Sequence, residues 1–453
     1  MNRIITDRTL TVILAVSLAL PALWAVKATA ANDLHVALLD ETGDDESRSG
    51  EEAADAGPGA DDAAADDDDG DTGSAPLELP VVDASDRIGP VIPLADAVTT
   101  ADHTARSFAL LGEDVPPGSY RRLAWSATEL FEGVPVSTPV LVVNGHLPGP
   151  TLCLTAAIHG DELNGIEMVR RVMHEVNPEK LSGTVVGVPI VNLQGFRRGS
   201  RYLPDRRDLN RYFPGSPNGS AASRIAYSFF TEIVQHCSAL IDLHTGSFER
   251  ANLPQLRADL RNPDVVTLTQ GFGATVILHS KPAQGTLRHA ATAAGIPTVT
   301  LEAGGPSELE LSEVQHGAKG IETLMHTLGM VKRMRLWGDP EPVYYRSTWV
   351  RANRGGILLS DVSLGSTVRE GELLGTITDP MNNASTNLYS PYSGRIIGMA
   401  RNQVVMPGFA AFHVGIETEQ AVTVGATEPD PLAHDESGAE SADVEIDMDG
   451  NSE

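Results

Sequence analysis

The stretch TLCLTAAIHGDELNG (151–165) limits what this chain can fold into more than any other. Residues 151–158 form an uninterrupted small and apolar run, the pattern of a strand covered on both faces. The run ends abruptly on a histidine, a glycine, two carboxylates, a leucine and an asparagine. LNGIEMVRRVMHEV (163–176) then carries its apolar residues at helical spacing. A buried strand, a polar turn and an amphipathic helix make up the repeating unit of an α/β layer. In such layers ligands bind beyond the carboxyl ends of the strands.

The unit recurs along the chain. VPVSTPVLVV precedes it as a strand, with a Gly-His-Leu-Pro-Gly-Pro turn between. GTVVGVPIVN, ALIDLHTG, ATVILHS and PTVTLEAGG read as further strands. AASRIAYSFFTEIVQ, TLRHAATAAG and LSEVQHGAKGIETLMHTLG read as helices. Residues 116–335 are therefore expected to form an α/β domain with a mixed β-sheet flanked by helices. From 340 to 420 the helical period disappears, and short strands alternate with Gly and Pro at close intervals. This predicts a small C-terminal all-β domain. Its pattern resembles the half-barrel of biotinyl and lipoyl carriers, but no Lys follows Lys332. A swinging-arm role is excluded, which leaves a structural or site-covering one.

The ends of the chain have a different composition. Residues 1–30 combine Arg3 and Arg8, an apolar run from Leu10 to Trp24 and an ATA cleavage pattern, as in a secretory signal peptide. The apolar run is shorter than the roughly 20 residues a membrane span needs. The expected product is exported, periplasmic or secreted, with no stable membrane span after signal removal. The formal charge of −28 is concentrated in two segments. Residues 40–71 hold fifteen acidic residues against one Arg, and the tail from Glu428 adds ten with no Lys or Arg. Both are expected to be disordered, as an acidic linker and N-terminal extension (31–115) and an acidic tail (426–453). Neither matches an EF-hand loop. The remainder is only mildly acidic, and phosphate contacts call for clustered Lys and Arg on a basic face, so nucleic acid is not an expected partner. Cys153 and Cys237 lie in apolar surroundings. They read as buried small hydrophobes, with a bridge between neighbouring strands left open.

Three strands end in residues of ligand type. AAIHGDE offers His159 and Glu162, LIDLHTG offers His244, and VTLEAGG offers Glu302. A single histidine at a strand end is more often hydrogen-bonded in the core than metal-bound, and Asp161 competes with Glu162 on spacing. The coincidence of several such ends favours two imidazoles and one carboxylate around a cation with an open fourth position. Glu302 could then move a proton between water and a leaving nitrogen. Between these strands, NLQGFRRGSRYLPDRRDLNRYFPG (192–215) is crowded with Arg. A fixed Arg there can stabilise an oxyanion, and an Arg with an Asn can clamp a carboxylate.

The motifs HGDELNG, DLNRYFPG, IDLHTG and TLEAGG, in that order, resemble the succinylglutamate desuccinylase/aspartoacylase family of the zinc carboxypeptidase-like superfamily. The resemblance spans about residues 120–420. It implies a zinc carboxypeptidase-like core, with residues 116–335 as the zinc-dependent catalytic domain and one Zn2+ per chain. His159, Glu162 and His244 match the metal ligands, and Glu302 matches the general base and acid. Asn210 and Arg211 match the pair that binds the substrate carboxylate. Arg201 best fits the oxyanion arginine among Arg197, Arg198, Arg206 and Arg207, and Asp208 is expected to orient the loop. The implied activity is deacylation, the cleavage of the amide bond of a small N-acyl amino acid or related carboxylate. The alternatives are an exported metallocarboxypeptidase trimming peptides and a non-catalytic binding protein on the same fold. An oligomer is compatible with the sequence.

Overall fold

The computed structural model describes residues 106–126, 137–332 and 342–416. The expected signal peptide, the acidic extension up to residue 105 and the acidic tail lie outside the described residues. Residues 106–115, expected to belong to the disordered extension, are instead ordered, because Leu110 and Val115 are buried in the core. A short hairpin opens the fold, β1 (Phe108–Leu110) with β2 (Glu113–Val115), followed by β3 (Ser119–Trp125) and β4 (Thr138–Asn144). Next come β5 (Leu147–Ala156), α1 (Asn164–Glu175), β6 (Ser182–Val188), α2 (Leu193–Arg197) and α3 (Ala221–Glu232). They lead into β7 (Ala239–His244), β8 (Arg250–Ala258), α4 (Pro263–Gln270) and β9 (Val276–His279). Then α5 (Leu287–Ala293), β10 (Thr298–Gly304) and α6 (Leu311–Thr327) complete the helical part.

The remaining elements are strands. They are β11 (Val343–Tyr344), β12 (Ser347–Arg351), β13 (Gly356–Ser360), β14 (Thr367–Val368) and β15 (Leu373–Thr378). After them come β16 (Ser385–Tyr389), β17 (Gly394–Ala400), β18 (Gln403–Val405) and β19 (Ala410–Ile416). No helix among the described residues is long and apolar enough to cross a membrane.

The sheet is mixed, as its strand patterns predict. Strand β7 runs parallel to both β5 and β10, whereas β8 is antiparallel to β10. The strands after residue 340 join the same sheet. Strand β17 pairs antiparallel with β8, then β19 and β12 follow outward. A second, four-stranded sheet in the order β16-β15-β13-β18 covers this extension. Phe412, Leu358, Ile377 and Ile396 belong to the small core of this unit.

Alternation along the strands decides which residues enter the core. Ala239, Ile241 and Leu243 of β7, with Val299, Leu301 and Ala303 of β10, pack into one apolar layer with α1, α4 and α6. Leu240 of β7 faces the second layer with α3 and α5. Burying each of these larger aliphatic side chains contributes roughly 1.5–3 kcal/mol. Toward the carboxyl ends that second face changes character. Thr155, Asp242, Thr300 and Arg257 lie side by side across β5, β7, β10 and β8. The next row holds His244, Glu302 and Gln255. A period of 2 thus packs one face of each strand and, toward the carboxyl ends, leaves the other face polar.

Cys153 on β5 and Cys237 just before β7 are both buried, and they form a disulfide across 84 residues, with Cα atoms 5.8 Å apart. The bridge left open by the sequence is therefore formed. Replacing both with alanine is expected to lower stability by about 2–4 kcal/mol, read as a fall in the urea midpoint. An unchanged midpoint would show that the bridge adds nothing.

Candidate metal centre

The turn after β5 places the first two candidate ligands. Ala157 adopts a positive φ of 50°, which re-aims the chain as the strand ends. Gly160 follows because no side chain fits there: a Cβ would lie 2.1 Å from the backbone of Gly195 and of Phe196. Asn164 is fully buried and ties this turn to the end of β10. It donates to Ala303 O (3.0 Å) and accepts the Glu310 N–H (2.8 Å).

His159, Glu162 and His244 converge, all three buried, with one ligand atom from each lying within 4.8 Å of the others. His159 Nδ1 is 2.8 Å from Glu162 Oε1, His244 Nδ1 is 2.9 Å from Glu162 Oε2, and the two Nδ1 atoms are 3.2 Å apart. Asp161 stays outside this group. One of its oxygens is buried without a hydrogen-bond partner, while its backbone carbonyl accepts from Ser307 N (2.8 Å).

The outer nitrogen of each imidazole meets its own carboxylate. His159 Nε2 donates to Asp208 Oδ1 (3.0 Å), and His244 Nε2 donates to Asp242 Oδ2 (2.8 Å). Asp242 is held in turn by the Thr155 hydroxyl (2.8 Å). These carboxylates keep the protons on Nε2 and turn both Nδ1 lone pairs inward. Two nitrogen lone pairs and a carboxylate then face one point. That donor set suits a divalent cation, and zinc in particular.

The electrostatics show how strongly these buried groups act on one another. Burial works against the charged Glu162, yet the two imidazoles outweigh it and hold its carboxyl far below the ordinary range. Burial alone would depress His244, but Asp242 and Glu162 raise its pKa well above the ordinary value. Burial likewise opposes the Asp208 carboxylate, while His159 and Arg201 hold it low. The centre is built to concentrate positive charge among buried carboxylates.

Arg201 sits at the rim of the centre. It donates to Glu162 Oε1 (3.3 Å) and Asp208 Oδ2 (3.0 Å), and its guanidinium lies 5.5 Å from the Phe248 ring centroid. Asn210 is tied to the same loop through its N–H to Asp208 Oδ1 (2.9 Å), and its Oδ1 accepts from Leu287 N (2.8 Å). Arg211 is exposed and donates to Asn210 O (3.1 Å). Glu302 is aligned with His244 across the β7–β10 pairing, on the same sheet face.

The family model for the succinylglutamate desuccinylase/aspartoacylase catalytic domain matches residues 148–328, the segment that carries this centre. The α/β segment of this chain belongs to that family. A relative from Halomonas elongata, N-alpha-acetyl-L-2,4-diaminobutyric acid deacetylase, is 28% identical over 280 residues, covering 58% of this chain and 78% of its own. The fold is similar to that of a succinylglutamate desuccinylase/aspartoacylase from Rhodobacter sphaeroides. That structure has a TM-score of 0.60 and 24% identity, and the match covers 66% of this chain and 96% of the other. The product-bound ectoine utilization protein EutE (DoeB) from Ruegeria pomeroyi matches with the same TM-score and identity, over 67% and 98% of the two chains. The mixed sheet and helices of this chain are those of the family.

Within this desuccinylase/aspartoacylase framework, two residues at the centre were passed over in the sequence. Asp242 stands two before His244, so strand alternation alone puts it on the same face. Asn252, whose amide reaches Glu302, lies in RANLPQLRA, which has no apolar run to mark it as a strand. Asp242→Ala is expected to weaken metal affinity about 10- to 100-fold, measured by competition with a chromophoric chelator. Affinity equal to wild type would show that Asp242 does not orient His244.

Proposed function

We propose that this chain is a zinc-dependent deacylase that hydrolyses the amide bond of a small N-acyl amino acid or related carboxylate. The observation that carries the reading is the convergence of His159, Glu162 and His244 with Glu302 aligned beside them on one sheet face. The deacetylase relative acts, by its name, on an N-acetylated amino acid, which supports the substrate class. His159 and His244 would hold the cation through Nδ1 and Glu162 through its carboxylate. Such a cation supplies Lewis-acid polarisation of the amide carbonyl and makes a water acidic enough to attack near neutral pH.

The side chains divide the remaining work. Glu302 takes a proton from the attacking water and returns it to the departing nitrogen. Arg201, anchored on Glu162 and Asp208, donates to the oxygen that gains charge as the carbonyl is attacked. Leu287 N occupies Asn210 Oδ1, which turns the amide NH2 of Asn210 to its other edge. That NH2 and the exposed Arg211 together clamp the substrate carboxylate. The strands of residues 342–416 form a half-barrel of the biotinyl/lipoyl kind that narrows the cleft. Arg401, ion-paired to Glu308 (3.0 Å) and Glu310 (3.1 Å) in the loop after Glu302, supports this placement.

The protein acts after export. The Cys153–Cys237 bridge supports this, since disulfides persist in oxidising compartments. Amino-terminal sequencing of protein from the periplasmic fraction is expected to begin shortly after the ATA at 28–30. A mature protein that still begins at Met1 would contradict export.

Purified protein should hydrolyse N-acyl amino acids in preference to short peptides, and a chelator should abolish turnover until zinc is restored. Glu302→Gln is expected to keep its metal while kcat falls about 10²- to 10⁴-fold. A metal-replete wild type that trims peptides and ignores N-acyl amino acids would instead make the chain a carboxypeptidase.

A further inference from the structure

The two oxygens of Glu302 have different partners, and both partners come from β8. Asn252 Nδ2 donates to Oε2 at 3.1 Å, and Arg257 Nε forms an ion pair with Oε1 at 3.4 Å. The geometry points to Asn252 and Arg257 as positioning residues that fix the rotation of the Glu302 carboxylate for proton transfer. This inference rests on the proposed role of Glu302 in deacylation.

A local irregularity in the sheet makes the double contact possible. Thr300 pairs with Arg257 and Glu302 with Gln255, but Gly304 pairs with Asn252, so β8 carries one extra residue there. Simple alternation would send the side chain of residue 252 to the face opposite those of 255 and 257. The extra residue restores Asn252 to the face of Glu302, as bulges beside functional sites commonly do. Pro254 falls inside the irregular step, where its missing N–H is tolerated.

The surroundings hold each partner in place. Asn252 is 4% exposed and lies opposite Gly398 of β17, where a Cβ would stand 2.7 Å from Asn252 Oδ1. A strand from beyond residue 340 therefore backs the amide, and it does so by lacking a side chain. Arg257 stands among like charges. Burial and Arg257 lower the pKa of Arg288 to about 10, and the same two causes depress Arg250. Glu302 offsets this repulsion at both positions, so its carboxylate is drawn toward the guanidinium groups. The Asn252 amide holds the second oxygen against free rotation about the terminal bond.

Full-length, zinc-loaded Asn252→Ala, Arg257→Met, Arg257→Lys and Gly398→Ala are compared with wild type on the best N-acyl amino acid. Asn252→Ala and Arg257→Met should lower kcat about 10- to 100-fold, the scale expected for a misplaced reacting group. KM should change less than about twofold and metal content should be unchanged, because neither residue is assigned to the metal or the substrate carboxylate. Arg257→Lys should recover most of the loss. Gly398→Ala reaches neither Glu302 nor the proposed metal ligands, and its closest approach is to Asn252 Oδ1 (2.7 Å), ahead of His413 Cβ (3.3 Å), yet it should reproduce the Asn252→Ala signature. In a Glu302→Ala background, Asn252→Ala should add no further loss.

Wild-type kcat in Asn252→Ala and Gly398→Ala, or losses that appear in KM or metal content, would overturn the positioning role alone. A wild type with no deacylase turnover would overturn the proposed function and this inference with it.

Discussion

Two imidazole nitrogens 3.2 Å apart, each also facing the same carboxylate, form the constraint on which the rest of the structure depends. Lone pairs so arranged repel one another unless positive charge lies among them. Asp208 and Asp242 enforce the arrangement by taking the outer N–H of each ring. Further features secure it in turn: the Thr155 hydroxyl on Asp242, the Thr245 N–H on Glu162 (3.2 Å) and the glycine at 160 that lets α2 approach. A buried polar cluster of this kind is costly unless every member is satisfied. The strand ends that hold it are accordingly packed beneath by an apolar layer.

Much of this was legible in the sequence because continuous apolar strands announce themselves. TLCLTAAI, ALIDLH and PTVTLE each end at residues of ligand type, and with DLNRYFPG their order carries the resemblance to the family. Strand β8 is the counter-example. RANLPQLRA carries two arginines, an asparagine, a glutamine and a proline, because its polar side chains share the sheet face of Glu302 and its neighbour is a strand from beyond residue 340. Periodicity detects packing, and a strand whose pocket face is polar gives it little to detect. The hairpin at 108–115 was invisible for another reason: three-residue strands are too short to show any period. The disulfide depends on a contact between β5 and the chain entering β7, which no local pattern records.

The break in character near residue 340 marks a change of secondary structure but does not mark the end of the sheet. Strand β17 continues the sheet directly from β8, and its Gly398 abuts the amide that reaches Glu302. Arg250 bridges the same boundary, its guanidinium 5.2 Å from the Trp349 ring and 5.6 Å from that of Phe409. Such stacked cations are weakly hydrated and tolerate partial burial. The all-β portion is thus tied to the same sheet that carries the His159–Glu162–His244 cluster. Changes within it can reach Glu302 through β8 without touching His159, Glu162 or His244.

The most direct test of the account is anomalous diffraction at the zinc edge from metal-replete crystals. One peak per chain is expected, within bonding distance of His159 Nδ1, His244 Nδ1 and the Glu162 carboxylate. A peak at other residues, or none at these three while the protein retains its activity, would contradict it.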